Sequence, residues 1–353
     1  MPATPAHDST DREPDARRPR TGRAAAEAPP GAPRVGPAHR PASPVLAEVV
    51  RSDFVEGLHR GSLVILDADG TVRESLGDVA SPILPRSANK PVQAAGTLRA
   101  GLELSGERLA LAAASHSGEP RHLELVEKML AEHDLTEADL QCPYDLPLDR
   151  TEAERHLAVG QRRSRVAMNC SGKHTAMLAA CRANDWPLDT YLEPAHPLQR
   201  LIAETLRTLA GEPAAHTGTD GCGAPLLAVS LTGLARTFRE FVRAPEDSPE
   251  GRVARAMRAH PAYVAGSRRH DTWLMTELPG TLSKMGAEAV QAVALPDGRA
   301  LAFKLDDGAA RALAPVLAGA LRRLDVTGPV LDRLAEAPLW GGGQRVGEIR
   351  PAF

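Results

Sequence analysis

Apolar residues near the two ends of the chain form short runs that are typical of β-strands. The first group of runs is interrupted by the turn pair Asp69-Gly70, and the last group by Pro296-Asp297-Gly298. Turn residues of this kind between two apolar runs are the strongest local signal for a β-hairpin. The sequence therefore predicts one hairpin near each end of the folded region. The runs cover residues 46–50, 62–67, 72–76, 290–295 and 301–305.

The middle of the chain has a different apolar spacing. Apolar residues recur there at steps of three and four, as in Leu123, Val126 and Leu130, which predicts amphipathic helices. Another helix is predicted to follow the second hairpin, over residues 313–324. Strands from both ends of a chain most economically share one sheet. We therefore expect an α/β (α+β) fold, with a mainly antiparallel sheet and helices packed against it.

The first 44 residues differ in composition from the rest. They hold ten of the 30 prolines and seven arginines, and Val35 is their only large aliphatic residue besides Met1. A segment this poor in apolar side chains does not bury enough surface to become ordered. We expect a disordered Pro/Arg-rich tail over residues 1–44 and a single catalytic domain over residues 45–353.

The net charge of −3 argues against nucleic acid as a partner of the whole protein, because such partners require a basic face. The chain contains no apolar stretch of about 18 residues, and its N-terminus lacks the apolar core of a signal peptide. These features predict a cytoplasmic protein that binds small molecules and does not bind membranes.

Lysine is rare in this chain, with only five among the 42 basic residues. Lysine can lose its proton under conditions where arginine cannot, so each lysine is a candidate for acid–base chemistry. Lys128 lies in a helical pattern and Lys304 in the second hairpin, which suggests ordinary surface positions. Lys90, Lys173 and Lys284 lie in Ser- or Gly-bearing segments and are the stronger candidates.

Lys90 follows Ser87 by three positions and precedes Pro91. Proline is tolerated only in the first turn of a helix, so a helix that includes it begins near Ser87. A three-residue step places the serine hydroxyl and the lysine amine on one face, where the amine can act as a base for the hydroxyl. The alternative interpretation is a serine that caps a helix and a lysine on the surface.

Two further segments place a lysine beside small residues. Ser171-Gly172-Lys173 opens a predicted helix and suits a bound anion or carbonyl group. It is not a Walker A loop, because Ala167 and His174 occupy positions where that motif needs glycine and serine or threonine. Lys284 in Ser283-Lys284-Met285-Gly286 resembles the Lys-x-Gly strand of serine β-lactamases and penicillin-binding enzymes.

Four cysteines are too few for a disulfide framework in a chain of 353 residues. Cys170 and Cys222 both lie in polar loops with glycine neighbours and are candidates for a shared thiolate site. The alternative is that both are buried structural thiols.

These segments, together with several others in the same order along the chain, resemble the asparaginase family typified by the thermolabile enzyme of rhizobia. The resemblance covers the chain from about residue 46 to its end. The resembling segments are Arg51 with 56–61, 86–93, 114–116, 169–174, 196–199, 220–225, 284–288 and 304–308.

The resemblance implies a β-lactamase-like or penicillin-binding-like serine hydrolase fold, a homodimer and two serine–lysine pairs. In this chain the pairs would be Ser87 with Lys90, and Ser115 with Lys284. The resemblance also implies a zinc site. Zinc normally takes Cys, His or carboxylate ligands, so a lysine ligand would have to be neutral. The implied ligands are Cys170, Lys173 and Cys222.

The activity that this resemblance implies is the release of ammonia from L-asparagine through a serine acyl-enzyme. Neutral Lys90 would take the proton of Ser87, Ser115 would relay protons, and the nearby charge of Lys284 would depress the pKa of Lys90. The charged groups of the substrate would be held by Arg51, Arg86 or Asp220, since a substrate this small needs both charges recognised.

Two alternatives to an asparaginase are weighed. One is another serine–lysine hydrolase, such as a β-lactamase or a peptidase, although the chain lacks a Ser-Asp-Asn segment. The other is a non-catalytic sensor of asparagine or zinc, in which Ser87 only caps a helix. Release of ammonia distinguishes an asparaginase from both.

Overall fold

The computed structural model describes residues 42–353. The predicted tail over residues 1–44 lies outside the described residues except for its last three positions. Two of these already contact the folded region, because the carbonyl of Ser43 accepts a hydrogen bond from Arg60 and that of Pro44 accepts one from Gly61.

An eight-stranded sheet forms the centre of the fold, with the order β10-β11-β1-β2-β9-β8-β7 and with β3 beside the second half of β2. Every pairing in it is antiparallel. A smaller sheet has the order β4-β6-β5. The strands are β1 Val45–Arg51, β2 Phe54–Leu66, β3 Val72–Leu76, β4 Pro82–Ile83, β5 His216–Thr219, β6 Pro225–Ser230, β7 Leu282–Gly286, β8 Val290–Ala294, β9 Ala300–Leu305, β10 Pro338–Gly341 and β11 Gln344–Pro351.

The two predicted hairpins are present. The first is formed by β2 and β3, and the second by β8 and β9. The strand β2 is much longer than its apolar run predicts, because its first half pairs with β1 and its second half pairs with β3 and β9. We call β10, β11, β1 and the Phe54–Arg60 half of β2 the arm.

Helices cover both faces of the main sheet. On one face α11 and α12 bury Leu63, Ile65 and Phe303. On the other face most of the remaining helices bury Val64, Leu66 and the alanines of β8 and β9. The helices are α1 Lys90–Arg99, α2 Gly106–Ala112, α3 Pro120–Glu132, α4 Arg150–Ala158, α5 Ser171–Ala183, α6 Pro197–Ala210, α7 Leu231–Arg243, α8 Pro249–Ala259, α9 Pro261–Ala265, α10 His270–Glu277, α11 Leu313–Arg323 and α12 Pro329–Ala335.

This architecture confirms the predicted α/β fold with a mainly antiparallel sheet and packed helices. Strands from the two chain ends do share one sheet, since β1 pairs with β11. None of the helices in residues 42–353 is long and apolar enough to cross a membrane. The cytoplasmic location stays a prediction from the sequence.

Candidate active site

Ser87 lies in a 3-10 turn, Arg86–Asn89, that leads directly into α1. Pro91 is in the first turn of α1, as the sequence predicts. Side chains three residues apart eclipse one another in a 3-10 turn, so Ser87 and Lys90 lie on one face. Ser87 is half-buried, and its hydroxyl makes no hydrogen bond with another described residue. An unengaged hydroxyl at a helix start is accessible for attack on a bound substrate.

Lys90 points into the protein and is almost completely buried. Its Nζ donates to the carbonyl of Ala114 at 2.6 Å, and it lies 3.0 Å from Ser115 Oγ and 3.1 Å from Cys170 Sγ. Burial lowers the pKa of Lys90 from the usual lysine value; Cys170 opposes this shift, and the charge of Lys173 adds to it. A lowered pKa increases the fraction of neutral amine, the form that can accept a proton.

Lys284 also contacts Ser115. Its Nζ lies 3.0 Å from Ser115 Oγ and donates to the carbonyl of Met285 at 2.8 Å. The strand β7 that carries Lys284 contacts the Ser87 turn closely at Gly286, where a Cβ atom would lie 2.4 Å from the Pro85 carbonyl oxygen. Only glycine permits this approach, so Gly286 brings the strand of Lys284 against the turn of Ser87.

The observed pairing differs from the expected one at Ser87. Ser115 Oγ lies at 3.0 Å from the amines of both Lys90 and Lys284, whereas Lys90 makes no hydrogen bond to Ser87. The reason is geometric, because the long side chain of Lys90 extends past its own turn into the core. Ser115 and Lys284 do make the contact that the resemblance implies.

Two cysteines and a third lysine continue this group of contacts. Lys173 Nζ lies 3.0 Å from Cys222 Sγ, and Lys90 Nζ lies 3.1 Å from Cys170 Sγ. The interaction with Cys170 and the charge of Lys173 lower the pKa of Cys222, while the interaction with Cys222 and burial raise the pKa of Cys170. Of these two buried thiols, Cys222 is therefore the more acidic.

Arg86 and Asp220 lie at the outer side of this group. Arg86 Nε donates to Asp220 Oδ1 at 2.8 Å, and Asp220 Oδ2 lies 3.7 Å from Cys222 Sγ. Arg86 has a φ of 51°, an uncommon value for a residue other than glycine. Backbone strain of this kind is frequent at functional sites, and here it occurs at the residue that precedes Ser87.

Nine of the ten predicted site residues thus lie in one region. Side-chain contacts form two series, Arg86–Asp220–Cys222–Lys173 and Cys170–Lys90–Ser115–Lys284. Electrostatic interaction between Cys170 and Cys222 links the two series, and Ser87 follows Arg86 in the chain.

Arg51 is the exception. It lies at the turn of the arm, where it forms an ion pair with Glu56 at 2.9 Å. Its strand partner Phe54 precedes Gly61 on β2 by seven residues, roughly 24 Å along the strand, and Gly61 is where β2 begins to pair with β9. Within residues 42–353, no hydrogen bond or ion pair joins Arg51 to the other nine residues.

The implied zinc ligands fit a metal ion in their chemistry. Cys170, Lys173 and Cys222 supply two sulfurs and one nitrogen, with Lys173 Nζ 3.0 Å from Cys222 Sγ, and the buried Nε2 of His174 has no hydrogen-bond partner among the described residues. Within residues 42–353, no group of three or more His, Cys, Asp or Glu side chains is arranged to hold a metal ion, so a zinc ion here would need the lysine. The thiolate of Cys222 opposes the effect of burial and raises the pKa of Lys173, so zinc binding would have to displace a proton.

Sequence reasoning missed two residues that hold the lysine and serine in place. Arg269 donates to the carbonyls of Ser115 and Ala265, and Asp271 accepts hydrogen bonds from β7. Neither lies in a motif of its own. The only signal that could have revealed Asp271 is an acidic residue within an otherwise apolar helix face.

Comparison with known proteins gives the family. The sequence profile of L-asparaginase II matches residues 47–351. No curated protein matches the chain. Among solved structures, a β-lactamase from Mycobacterium bovis matches with 15% identity and a TM-score of 0.38, over 70% of this chain and 88% of that one. A mutant simvastatin synthase from Aspergillus terreus matches with 11% identity and a TM-score of 0.32, over 78% and 91%. Because the family profile spans nearly all of residues 42–353, the chain belongs to the L-asparaginase II family.

Proposed function

We propose that this protein hydrolyses L-asparagine to L-aspartate and ammonia, with Ser87 as the nucleophile. The observation that carries the proposal is the convergence of two buried lysine amines on Ser115 directly behind the Ser87 turn. Buried amines without a carboxylate in contact are costly, so a site that holds two of them needs a chemical reason. Membership of the L-asparaginase II family supplies the class of substrate.

In the proposed reaction, Ser87 Oγ attacks the side-chain carboxamide of asparagine and its proton passes to neutral Lys90. Ammonia leaves from the tetrahedral intermediate, and water then hydrolyses the aspartyl ester. Backbone amides at the start of the turn can stabilise the developing oxyanion. Lys90 has no hydrogen bond to Ser87 in the free protein, but catalytic hydrogen bonds often shorten only when substrate is bound.

Ser115 is placed to carry protons between the two lysines. Its hydroxyl is within hydrogen-bond distance of both amines, so it can donate to one while accepting from the other. Burial holds the pKa of Lys284 well below its usual range; Asp271 opposes this shift, while Arg269 and Lys90 add to it. Both amines therefore lose a proton more readily than an ordinary lysine.

Arg86 and Asp220 are the proposed groups for the charged end of the substrate. They form an ion pair beside Ser87, and both remain partly exposed to solvent. A guanidinium can bind the substrate carboxylate in two places, and a carboxylate can accept from its ammonium group. Arg51 lacks a contact with this region, so within one chain the structure favours Arg86 and Asp220 for this role.

An ammonia-release assay with asparagine, glutamine and nitrocefin tests the proposal. We expect ammonia from asparagine and no turnover of nitrocefin. Turnover of nitrocefin without ammonia release would instead identify another serine–lysine hydrolase. Binding of asparagine without either product would identify a sensor.

We also propose that Cys170, Lys173 and Cys222 hold a zinc ion. Protein purified without chelator should contain about one zinc ion per chain, and Cys222→Ser should lose it, because a structural zinc site needs all of its ligands. Elemental analysis measures both. Cys181→Ser is the matched control. Cys181, in α5, is buried like Cys222, but burial alone accounts for its raised pKa, so no charged group or second thiol of the described residues acts on it. The absence of zinc from the unaltered protein would refute the site.

We further propose that two copies associate through the arm. Its apolar side chains include Phe54 at 70%, Leu58 at 46% and Trp340 at 63% exposure. Three ion pairs within the arm, such as Arg350 with Glu48, pair every charged side chain of its strands except Arg60. A surface that is apolar and has most of its charges paired suits contact with its own copy, in which each arm meets the same arm across a two-fold axis.

Combined substitution of Phe54 and Leu58 by glutamate should convert a dimer into a monomer, because it places four charges in the proposed contact between two copies. Light scattering after size-exclusion chromatography measures the mass. Combined substitution of Leu157 and Val159 by glutamate is the control, as both are similarly exposed at the end of α4. A monomeric unaltered protein, or an arm variant that stays dimeric, would contradict the proposal.

A further inference from the structure

Asp271 has the least exposed acidic side chain among the described residues, with 0% of its surface accessible. It lies in the first turn of α10, where the helix amides favour a negative charge. Its only ion-pair contact within residues 42–353 is His270 Nε2, at 3.7 Å. A carboxylate this deeply buried must be stabilised by hydrogen bonds, and the donors of these bonds identify the segment that it anchors.

The carboxylate accepts three hydrogen bonds from two adjacent strands. Ser283 Oγ donates to Oδ1 at 2.6 Å and the backbone N–H of Met285 donates to Oδ2 at 3.0 Å. The third bond comes from Gln291 Nε2 on β8, at 3.1 Å. Ser283 and Met285 are the neighbours of Lys284 in the chain. The carboxylate is therefore hydrogen-bonded to β7 immediately before and immediately after the lysine.

The hydrogen bond from Met285 to Asp271 takes the place of a bond to a neighbouring strand. β7 is at the end of the sheet order, so within residues 42–353 its outer edge has no strand partner, and the N–H of Met285 would be unpaired without Asp271. The carbonyl of the same residue accepts from Lys284 Nζ at 2.8 Å. The position of the amine therefore depends on a peptide segment that Asp271 anchors.

Asp271 also provides a negative charge among several basic side chains. It interacts electrostatically with His270, Arg269 and Lys284, and Lys284 interacts in turn with Arg269, with Lys90 on α1 and with Cys170 at the start of α5. Burial alone would raise the pKa of Asp271, but the charges of His270 and Lys284 and the bonds from Ser283 and Met285 hold it well below the usual value. The group is therefore ionised at neutral pH.

We propose that Asp271 is the positioning residue of Lys284: its carboxylate fixes β7 on both sides of the lysine and supplies the negative charge that the buried amine faces. Asp271 does not touch Ser87 or Ser115 and acts only through Lys284. The importance of this arrangement for turnover rests on the function proposed above, whereas the charge coupling between the two side chains does not.

The charge coupling can be measured without any assay of turnover. Isotope-labelled lysine gives five signals in this chain, and the one from Lys284 is assigned by its disappearance in Lys284→Met. In Asp271→Asn the titration midpoint of the Lys284 signal should fall by about one pH unit or more, because an opposing charge has been removed. Ser283→Ala is the matched control, since it removes one hydrogen bond to Asp271 but keeps the carboxylate, and its midpoint should stay where it is in the unaltered protein.

An unshifted midpoint in Asp271→Asn would overturn the proposal, as would an equal shift in Ser283→Ala. If the proposed asparaginase activity is wrong, the shift in Asp271→Asn should still be present. If only the coupling is wrong, turnover persists in the unaltered protein while the midpoint is insensitive to Asp271. The two failures are therefore distinguishable.

A stability measurement keeps the proposal testable if Asp271→Asn folds poorly. The combined variant Asp271→Asn with Lys284→Met should recover part of the melting temperature lost in Asp271→Asn, because the Lys284 amine, which loses its negative neighbour in Asp271→Asn, is then absent. Melting temperatures that simply add across the two substitutions would show that the side chains are independent, and would refute the proposal.

Discussion

Replacement of Ser87 by alanine should reduce asparagine hydrolysis by more than about a hundredfold, because loss of a nucleophile costs far more than loss of a binding contact. The melting temperature should stay unchanged. The hydroxyl of Ser87 has no hydrogen bond to another described residue, and the side chain is only half-buried, so its removal breaks no bond and opens no sealed cavity. Ammonia release and a thermal melt measure the two effects.

Two other serines make this result specific. Ser75→Ala, on the exposed side of β3, should leave both rate and stability unchanged. Ser115→Ala should lower both, since it removes the hydroxyl that two buried amines contact, and an unsatisfied buried polar group costs about 1–3 kcal/mol. A Ser87→Ala protein that keeps more than about a hundredth of the normal rate would exclude Ser87 as the nucleophile.

Lys90→Arg should be nearly as inactive as Lys90→Ala. Arginine keeps the positive charge and much of the length, but it does not lose its proton in proteins and so cannot serve as a general base. Lys128→Arg, in α3, is the matched control and should keep full activity. If Lys90 only attracted the substrate by its charge, the arginine variant would keep a substantial rate.

The pH dependence of the rate gives an independent test of the same role. The base must be neutral, so the rate should rise with pH as Lys90 loses its proton. Burial lowers the pKa of Lys90, so this rise should occur below the usual lysine value of 10.5. A thermal melt of Lys90→Arg separates loss of the base from misfolding, since the larger guanidinium must fit a fully buried position. A folded arginine variant with normal turnover would contradict the mechanism.

The sequence alone determined the parts of this protein that depend on neighbours in the chain. The turn pair Asp69-Gly70 and the Pro-Asp-Gly turn at 296–298 predicted both hairpins, because turn chemistry and alternation are local properties. Pro91 located the start of α1 within a few residues for the same reason. Short buried strands such as β6 were missed, since a brief apolar run does not distinguish a strand from a helix.

The scarcity of lysine and the small residues around Lys90, Lys173 and Lys284 also indicated the chemistry from the sequence. Residue type and local spacing sufficed there, because lysine, unlike arginine, can lose its proton. The order of the motifs along the chain then gave the family, which the match over residues 47–351 confirms.

Only the tertiary structure decided how these residues meet. Lys90 and Lys284 both contact Ser115, from 25 and 169 positions away in the chain, and Lys173 contacts Cys222 across 49 positions. The anchoring of β7 by Asp271 and the position of Arg51 on the arm could not be predicted from the sequence either. Contacts of this kind follow from how helices and strands pack, and packing depends on the whole chain at once, whereas a sequence pattern records only what lies within a few residues.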